Sequence, residues 1–188
     1  LLENDVQIKE DIYFTAIIGV NPSGGARSPI LWNHVFLKEN IKCEMHAFDV
    51  NEKNLSKLLK QLESNKFFLG GAVTAPYKEK IFELLNGNIQ TNEKKIGAIN
   101  CLFRDHKGNL TGKNTDGSAA LKSLKSNCKN INEKKIILLG VGGAGKAVAT
   151  LIASEIPFKR NLCLVSRSNE AKKFSKNIYC DYLEWGNL

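Results

Sequence analysis

Residues 136–152 read IILLGVGGAGKAVATLI, and this stretch decides the fold. Four apolar residues typical of a buried strand come first, a glycine-rich turn follows, and the apolar residues after it have helical spacing. The turn matches the pattern Gly-x-Gly-x-x-Gly in the strand–turn–helix context that gives this pattern its meaning. The stretch therefore predicts the start of a doubly wound dinucleotide-binding domain. The alternative is a turn of the same shape that binds no ligand.

The predicted cofactor contacts in this turn are Gly140, Gly142, Gly143, Ala144 and Gly145. Gly140 permits the tight turn, Gly142 lets the backbone approach a pyrophosphate, and Gly145 lets the helix pack closely on the strand. The first N–H groups of the helix then point at the anion.

The next predicted strand, residues 162–165, is followed by Ser166, Arg167 and Ser168. An NAD enzyme places Asp or Glu at this point to bind the ribose 2′-hydroxyl. Arg167 can instead stack on adenine or pair with a 2′-phosphate, to which both serines can donate hydrogen bonds. These residues favour NADP over NAD, with a solvated surface arginine as the alternative.

Strands and helices also alternate before this stretch, which predicts a mostly parallel α/β sheet. Residues 13–18 predict a strand that leads through a Pro/Gly-rich loop to a helix, with Ser28 as N-cap and Pro29 as first helical residue. That helix is predicted to run towards Lys38 and to pack through Leu31, Val35 and Phe36. We further predict strands at residues 43–48 and 67–69, a helix at residues 55–62, a loop at residues 70–76 and a hairpin at residues 99–111.

We place a domain boundary near Gly117. Residues 1–117 are predicted to form a substrate-binding and catalytic α/β domain, and residues 118–188 a partial Rossmann domain that binds NADP. A helix around residues 120–124 and a last strand at residues 178–179 belong to the second domain. Because a complete doubly wound domain has about six strands, we expect only its first half in this sequence.

The composition excludes several classes of protein. With 188 residues, 43% hydrophobic and 24% charged, it is typical of a soluble globular protein, and no apolar run is long enough to span a membrane. The formal charge of +8 comes from scattered residues, 23 Lys and 4 Arg, so nucleic-acid binding is not expected. The five cysteines include no Cys-x-x-Cys pair, which favours reduced thiols, a cytoplasmic location and no metal site.

Lys78 and Asp116 each follow a β-like stretch, where functional side chains gather in parallel sheets. Spacing alone does not make them catalytic, because a lysine is usually a surface residue and an Asp before Gly is usually part of a turn or cap.

Five motifs resemble those of shikimate dehydrogenases in order and spacing, and the likeness covers nearly the whole chain from Ile17. They are RSP at residues 27–29, GAVTAPYK at 71–78, IGAINC at 96–101, GKNTDG at 112–117 and GVGGAG at 140–145. Four of the five lie outside the dinucleotide turn. The cysteine after Asn100 and the GGAGK sequence at residues 142–146 are also similar to the shikimate dehydrogenase half of dehydroquinase fusions.

The resemblance implies NADP-dependent, reversible reduction of 3-dehydroshikimate to shikimate, a step towards chorismate and the aromatic amino acids. It makes Lys78 and Asp116 the catalytic pair at the substrate's C3 oxygen, expected to meet in one cleft, with Asp116 also binding substrate. It places Ser28 on the substrate carboxylate, and Thr74 and Asn100 on the substrate hydroxyls.

Two positions depart from the family pattern. Ala26 stands where a second carboxylate-binding serine is usual, and Ala72 where an asparagine usually precedes Val-Thr. These departures keep two alternatives open: a paralogue that acts on quinate or an aminated analogue, and a catalytically silent NADP-binding module. The retention of both Lys78 and Asp116 speaks against the silent module.

Overall fold

The structure of the protein is a computed structural model, and it describes residues 1–85, 89 and 91–188. The chain divides into two compact units. The first comprises Leu1–Gln90 and Ile99–Lys113, and the second comprises Thr91–Ala98 and Asn114–Leu188. This division differs from the predicted boundary near Gly117 in two places, since residues 91–98 and 114–117 lie in the second unit.

A five-stranded sheet forms the centre of the first unit. Its strands are β1 (Tyr13–Gly19), β2 (Cys43–Asp49), β3 (Phe68–Val73), β4 (Cys101–Arg104) and β5 (Leu110–Lys113). The order is β2-β1-β3-β4-β5, with β2 and β3 parallel to β1 and with β4 and β5 antiparallel to their neighbours. The predicted strands and the predicted hairpin are confirmed, and parallel strands make up the part of the sheet next to the predicted site.

Three helices accompany this sheet: α1 (Ser28–Lys38), α2 (Glu52–Ser64) and α3 (Lys78–Leu84). The helix α2 buries the four leucines whose spacing predicted it: Leu55, Leu58, Leu59 and Leu62. They join the aromatic residues of β1, β2 and β3 in the core of the unit.

The prediction for α1 was wrong in two respects. Arg27 is the N-cap and Ser28 is the first helical residue, and no residue of α1 is buried. Leu31 and Val35 are 63% and 39% exposed instead of packed. The reason lies in Asn33, whose side chain donates to the Met45 carbonyl at 2.9 Å and accepts from the Met45 N–H at 2.6 Å. The helix is thus attached to the outer edge of β2 by polar contacts, a way of covering an edge strand.

The strand β3 continues through Gly70 and Gly71, which we predicted to start a loop. Both have positive φ angles, +140° and +151°. A Cβ atom on Gly71 would lie 1.9 Å from the carbonyl oxygen of Ala16 in β1, so the strand passes too close to its neighbour for any other residue.

Arg104 joins the end of β4 to the end of α2. Its guanidinium donates to five backbone carbonyls, those of Leu62, Glu63, Asn65, Phe68 and Gly108. Carbonyls at the end of a helix have no partner within the helix and carry the negative end of its dipole, so a cation stabilises them.

We expect Arg104→Met to lower the free energy of unfolding by about 3 kcal/mol, because the variant leaves several carbonyls without a charged donor. Arg104→Lys should not restore the loss, since one ammonium cannot reach carbonyls on both segments. Urea unfolding checks this, with Lys107→Met in the exposed adjoining turn as the control. Equal stability of the Arg104 and Lys107 variants would contradict the role.

His46 lies in β2 beside the rings of Phe14 and Phe48, at 6.2 and 6.4 Å between ring centroids. Burial lowers the pKa of His46 below its usual 6.5, although Glu44 acts in the opposite direction. His46 therefore binds a proton more weakly in the folded chain than in the unfolded chain. Stability gained from the neutral imidazole is present at pH values above 6.5 and is lost as the pH falls below it.

We expect the free energy of unfolding to fall between pH 7 and pH 5 more steeply in the wild type than in His46→Gln. The difference between the two pH profiles isolates His46 from the carboxylates that titrate in both proteins. Parallel profiles would show that protonation of His46 costs the fold nothing.

A parallel three-stranded sheet forms the centre of the second unit. The elements of this unit are α4 (Thr91–Ile96), α5 (Asp116–Asn127), β6 (Ile136–Leu139), α6 (Gly143–Glu155), β7 (Leu162–Ser166), α7 (Asn169–Asn177) and β8 (Asp181–Glu184). The strand order is β6-β7-β8. The predicted strand–turn–helix unit is confirmed, and the second unit is a partial Rossmann domain.

The last strand begins later than predicted. Residues 178–180 close the end of α7, where the Ile178, Tyr179 and Cys180 N–H groups donate back to helix carbonyls and Tyr179 has a φ of +60°. The pairing with β7 starts only at Asp181. Among the described residues, no helix is both long and apolar enough to cross a bilayer.

Candidate active site

The predicted substrate residues of the first unit follow the carboxyl ends of β1 and β3. Ser28 begins α1 after the loop that leaves β1, Thr74 follows β3 directly, and Lys78 is the first residue of α3. All three are partly exposed, as side chains that meet a ligand must be.

Backbone hydrogen bonds join the segments that carry Thr74, Lys78 and Asn100. The Val73 N–H donates to the Asn100 carbonyl at 2.8 Å, and the Ile99 N–H donates to the Lys78 carbonyl at 3.0 Å. The turn that opens α3 and the entry to β4 are thereby fixed next to the end of β3. Three of the predicted site residues thus share one end of the sheet.

The loop towards Ser28 starts beside Thr74. The Thr74 N–H donates to the Ile18 carbonyl at 3.0 Å, and a Cβ atom on Gly19 would lie 2.4 Å from the Thr74 methyl group. A glycine at this position lets the threonine side chain lie against the loop. The first unit therefore brings the start of the loop that leads to Ser28, together with Thr74, Lys78 and Asn100, to one end of its sheet.

Tyr77 anchors the start of α3 and was missed in the sequence analysis. Its hydroxyl donates to the Val50 carbonyl at 2.8 Å, and the residue is 3% exposed. Burial, with smaller contributions from Glu52 and Glu3, raises the pKa of the phenol, which keeps it a donor. A tyrosine between Pro76 and Lys78 was the available signal, since buried tyrosines usually place their hydroxyl on a partner.

In the second unit, Asp116 is the first residue of α5, where a carboxylate is favoured by the helix dipole. Asn114 holds the turn before it and was also missed. Its side chain accepts from the Asp116 N–H at 3.0 Å and donates to the Ala98 carbonyl at 3.0 Å, and it is 5% exposed. The Asn-x-Asp spacing is the signal for such a side-chain turn.

The glycine turn has the geometry that a phosphate loop needs. Gly140 has a φ of +88° and donates from its N–H to the Val165 carbonyl at 2.9 Å. A Cβ atom on Gly145 would lie 2.2 Å from the Gly140 carbonyl oxygen, whereas one on Gly142 would meet no atom within 4 Å. Gly145 is therefore required by packing. Gly142 leaves open space in front of the first residues of α6, Gly143 and Ala144.

The end of β7 presents one exposed cation. Arg167 is exposed, whereas Ser166 is buried and its hydroxyl accepts from the Ser168 N–H at 3.3 Å. The Ser168 hydroxyl caps α7 by accepting from the Glu170 N–H at 3.1 Å. Its own proton is still available to a phosphate oxygen.

Known proteins resemble this chain over most of its length. Residues 17–102 match the family described as the shikimate dehydrogenase substrate binding domain. The chain is 38% identical over 174 residues to the shikimate dehydrogenase (NADP(+)) of Carboxydothermus hydrogenoformans, which covers 92% of this chain and 60% of that relative. The chain therefore spans about 60% of the length of this curated relative.

Solved structures give the same result. The crystal structure of shikimate dehydrogenase from Aquifex aeolicus has a TM-score of 0.80 and 30% identity, covering 94% of this chain and 64% of that one. Another shikimate dehydrogenase, solved in complex with NADP⁺, has a TM-score of 0.78 and 25% identity, covering 95% of this chain and 63% of that one. In sequence and in fold, the chain is similar to shikimate dehydrogenases over most of its length.

Proposed function

We propose that the protein acts as a shikimate dehydrogenase, which reduces 3-dehydroshikimate to shikimate with NADPH in a reversible step of chorismate and aromatic amino acid biosynthesis. The observation that carries this proposal is the grouping of Thr74, Lys78 and Asn100 at one end of the first sheet by backbone hydrogen bonds. These residues lie in the segment that matches the substrate-binding family.

The proposed chemistry assigns a proton to Lys78 and a hydride to the cofactor. When bound, NADP exchanges a hydride with the substrate carbon C3 through its nicotinamide. Lys78 gives a proton to the C3 oxygen during reduction and takes it back during oxidation, and Asp116 is the second proposed catalytic residue. Thr74 and Asn100 hold the neighbouring hydroxyls, and Ser28 binds the carboxylate.

The second unit supports NADP as the cofactor. The open space at Gly142 and the N-terminal end of α6 fit a pyrophosphate, and Arg167 offers a guanidinium to a 2′-phosphate. In the part of the chain that the structure describes, the residues following β7 include no acidic side chain before Glu170. That leaves no carboxylate at the strand end for an NAD ribose.

We expect Arg167→Ala to raise KM for NADP at least about tenfold, the effect of losing a charge-assisted contact, and to leave KM for NAD nearly unchanged. Steady-state kinetics of the complete gene product with both cofactors check this. Arg160→Ala, at another exposed arginine of the same unit, is the matched control. An equal change for NADP and NAD after Arg167→Ala would remove Arg167 from cofactor selection.

The substrate itself is tested by binding to the 188-residue chain. We expect shikimate, added to ¹⁵N-labelled protein, to shift the amide signals of Ser28, Thr74, Lys78 and Asn100, and quinate to shift them less at the same concentration. Stronger shifts with quinate would favour the paralogue that Ala26 and Ala72 leave open. The absence of shifts with either acid would contradict the proposed substrate site.

A further inference from the structure

A buried carboxylate holds the loop that leads from β1 to Ser28. Asp49, the last residue of β2, is 7% exposed. One of its carboxylate oxygens accepts from the Ser23 N–H at 2.8 Å, and the other accepts from the Ser23 hydroxyl. Both hydrogen-bond donors of Ser23, its N–H and its hydroxyl, are therefore bound by one side chain of the sheet.

Asp49 is itself fixed from the opposite direction. Its N–H donates to the Asn4 side-chain oxygen at 3.0 Å, and its carbonyl accepts from the Glu3 N–H at 2.7 Å. Because its backbone is held in this way, Asp49 cannot follow the loop outwards. If Ser23 moved away, a charged group with little access to water would lose both donors, which is costly. The loop conformation is thus favoured by the burial of Asp49.

Backbone hydrogen bonds connect Ser23 to the segment that carries Ser28. Ser23 is the middle residue of a 3-10 turn, Pro22–Gly24, and the Pro22 carbonyl accepts from the Ala26 N–H at 2.8 Å. The Arg27 carbonyl then accepts from the Leu31 N–H at 3.1 Å in the first turn of α1. Gly24 and Gly25 would otherwise make this segment among the least restricted of the chain.

We propose that Asp49 is a positioning residue for the substrate carboxylate: through Ser23, it orders the loop that presents Ser28. The proposal rests on the proposed function for the nature of the ligand. An ordered loop also matters more in this chain because Ser28 offers a hydroxyl to the substrate carboxylate whereas Ala26 offers none. With fewer contacts to the carboxylate, more of the affinity depends on the loop being ordered before binding.

The test compares three variants of the 188-residue chain. Ser23→Ala removes the hydroxyl that Asp49 accepts from, and Ser23→Thr retains a hydroxyl. Ser64→Ala is the matched control, because it removes a serine hydroxyl that donates to the Lys60 carbonyl within α2 and leaves Asp49 and its partners unchanged. Amide hydrogen exchange of Ala26 and Leu31 reports the order of the loop, and calorimetry with shikimate reports affinity.

We expect Ser23→Ala to speed amide exchange at Ala26 and to weaken shikimate binding, each by about tenfold, as for the loss of one hydrogen bond to a charged group. Ser23→Thr should restore both. Ser64→Ala should change neither the exchange rate at Ala26 nor the affinity for shikimate.

Two results would overturn the proposal: unchanged exchange at Ala26 in Ser23→Ala, or faster exchange with unchanged shikimate affinity. The exchange measurement needs no ligand. A wild-type chain that binds no shikimate would therefore contradict the proposed function, while the exchange rates still decide whether Asp49 orders the loop.

Discussion

Lys78→Ala is expected to lower kcat for shikimate oxidation by about 10²–10⁴-fold, the usual contribution of a positioned acid or base. KM should change much less, because Lys78 acts mainly on the proton that moves in the transition state. The structure places Lys78 at the start of α3, where its carbonyl accepts from the Ile99 N–H beside the entry to β4. Steady-state kinetics of the complete gene product measure both constants.

The matched control for this prediction lies two residues further along the same helix. Lys80 is a partly exposed lysine that pairs with Glu52 and Glu83 at 3.7 and 3.5 Å, so Lys80→Ala tests the loss of a positive charge without the proposed chemistry. We expect it to retain nearly full turnover. A Lys78→Ala enzyme with near-normal kcat would remove Lys78 from the mechanism and favour the silent NADP-binding module.

Asp116→Asn should also reduce turnover. If Lys78 and Asp116 act as one unit, the double variant is little worse than the worse single variant. Independent, multiplicative losses would show instead that the two residues serve different steps.

Gly71→Ala is expected to destabilise the first unit by more than about 4 kcal/mol, a large part of the stability of a typical domain. The added Cβ would lie 1.9 Å from the Ala16 carbonyl oxygen, and both atoms belong to backbone that cannot rotate away. The φ angle of +151° also disfavours any L-residue. The strand would have to separate from β1, and with it the segment that ends in Thr74.

Circular dichroism and urea unfolding measure this effect, with Gly25→Ala as the control because its Cβ would meet no atom within 4 Å. We expect Gly25→Ala to change the free energy of unfolding by less than about 1 kcal/mol. A Gly71→Ala chain that unfolds at the wild-type urea concentration would contradict the close approach of β1 and β3.

Elements that depend on neighbouring residues could be predicted from the sequence. The spacing of four leucines predicted α2, and the glycine-rich turn at residues 140–145 predicted β6 and α6. Helical periodicity and the φ of +88° at Gly140 are both properties of a few neighbouring residues. The candidate residues were found by their resemblance to a family. The structure adds where Ser28, Thr74, Lys78 and Asn100 lie within the first unit.

Features that depend on distant contacts were not predictable in this way. The exposure of α1 follows from Asn33 binding the edge of β2, twelve residues away in sequence. The Tyr77 hydroxyl donates to a carbonyl 27 residues away, and the Asp49 carboxylate accepts from an N–H 26 residues away. A short stretch of sequence therefore does not contain both partners of either hydrogen bond. The continuation of β3 through Gly70 and Gly71 depends on how close β1 and β4 pass.

The most direct measurement of the central claim is the initial rate of NADPH formation at 340 nm when shikimate and NADP⁺ are added to the complete gene product. We expect NADPH formation with shikimate, with kcat/KM at least about tenfold above that for quinate, and a much lower rate with NAD⁺. A folded protein that binds NADP but forms no NADPH from shikimate would contradict the proposed function.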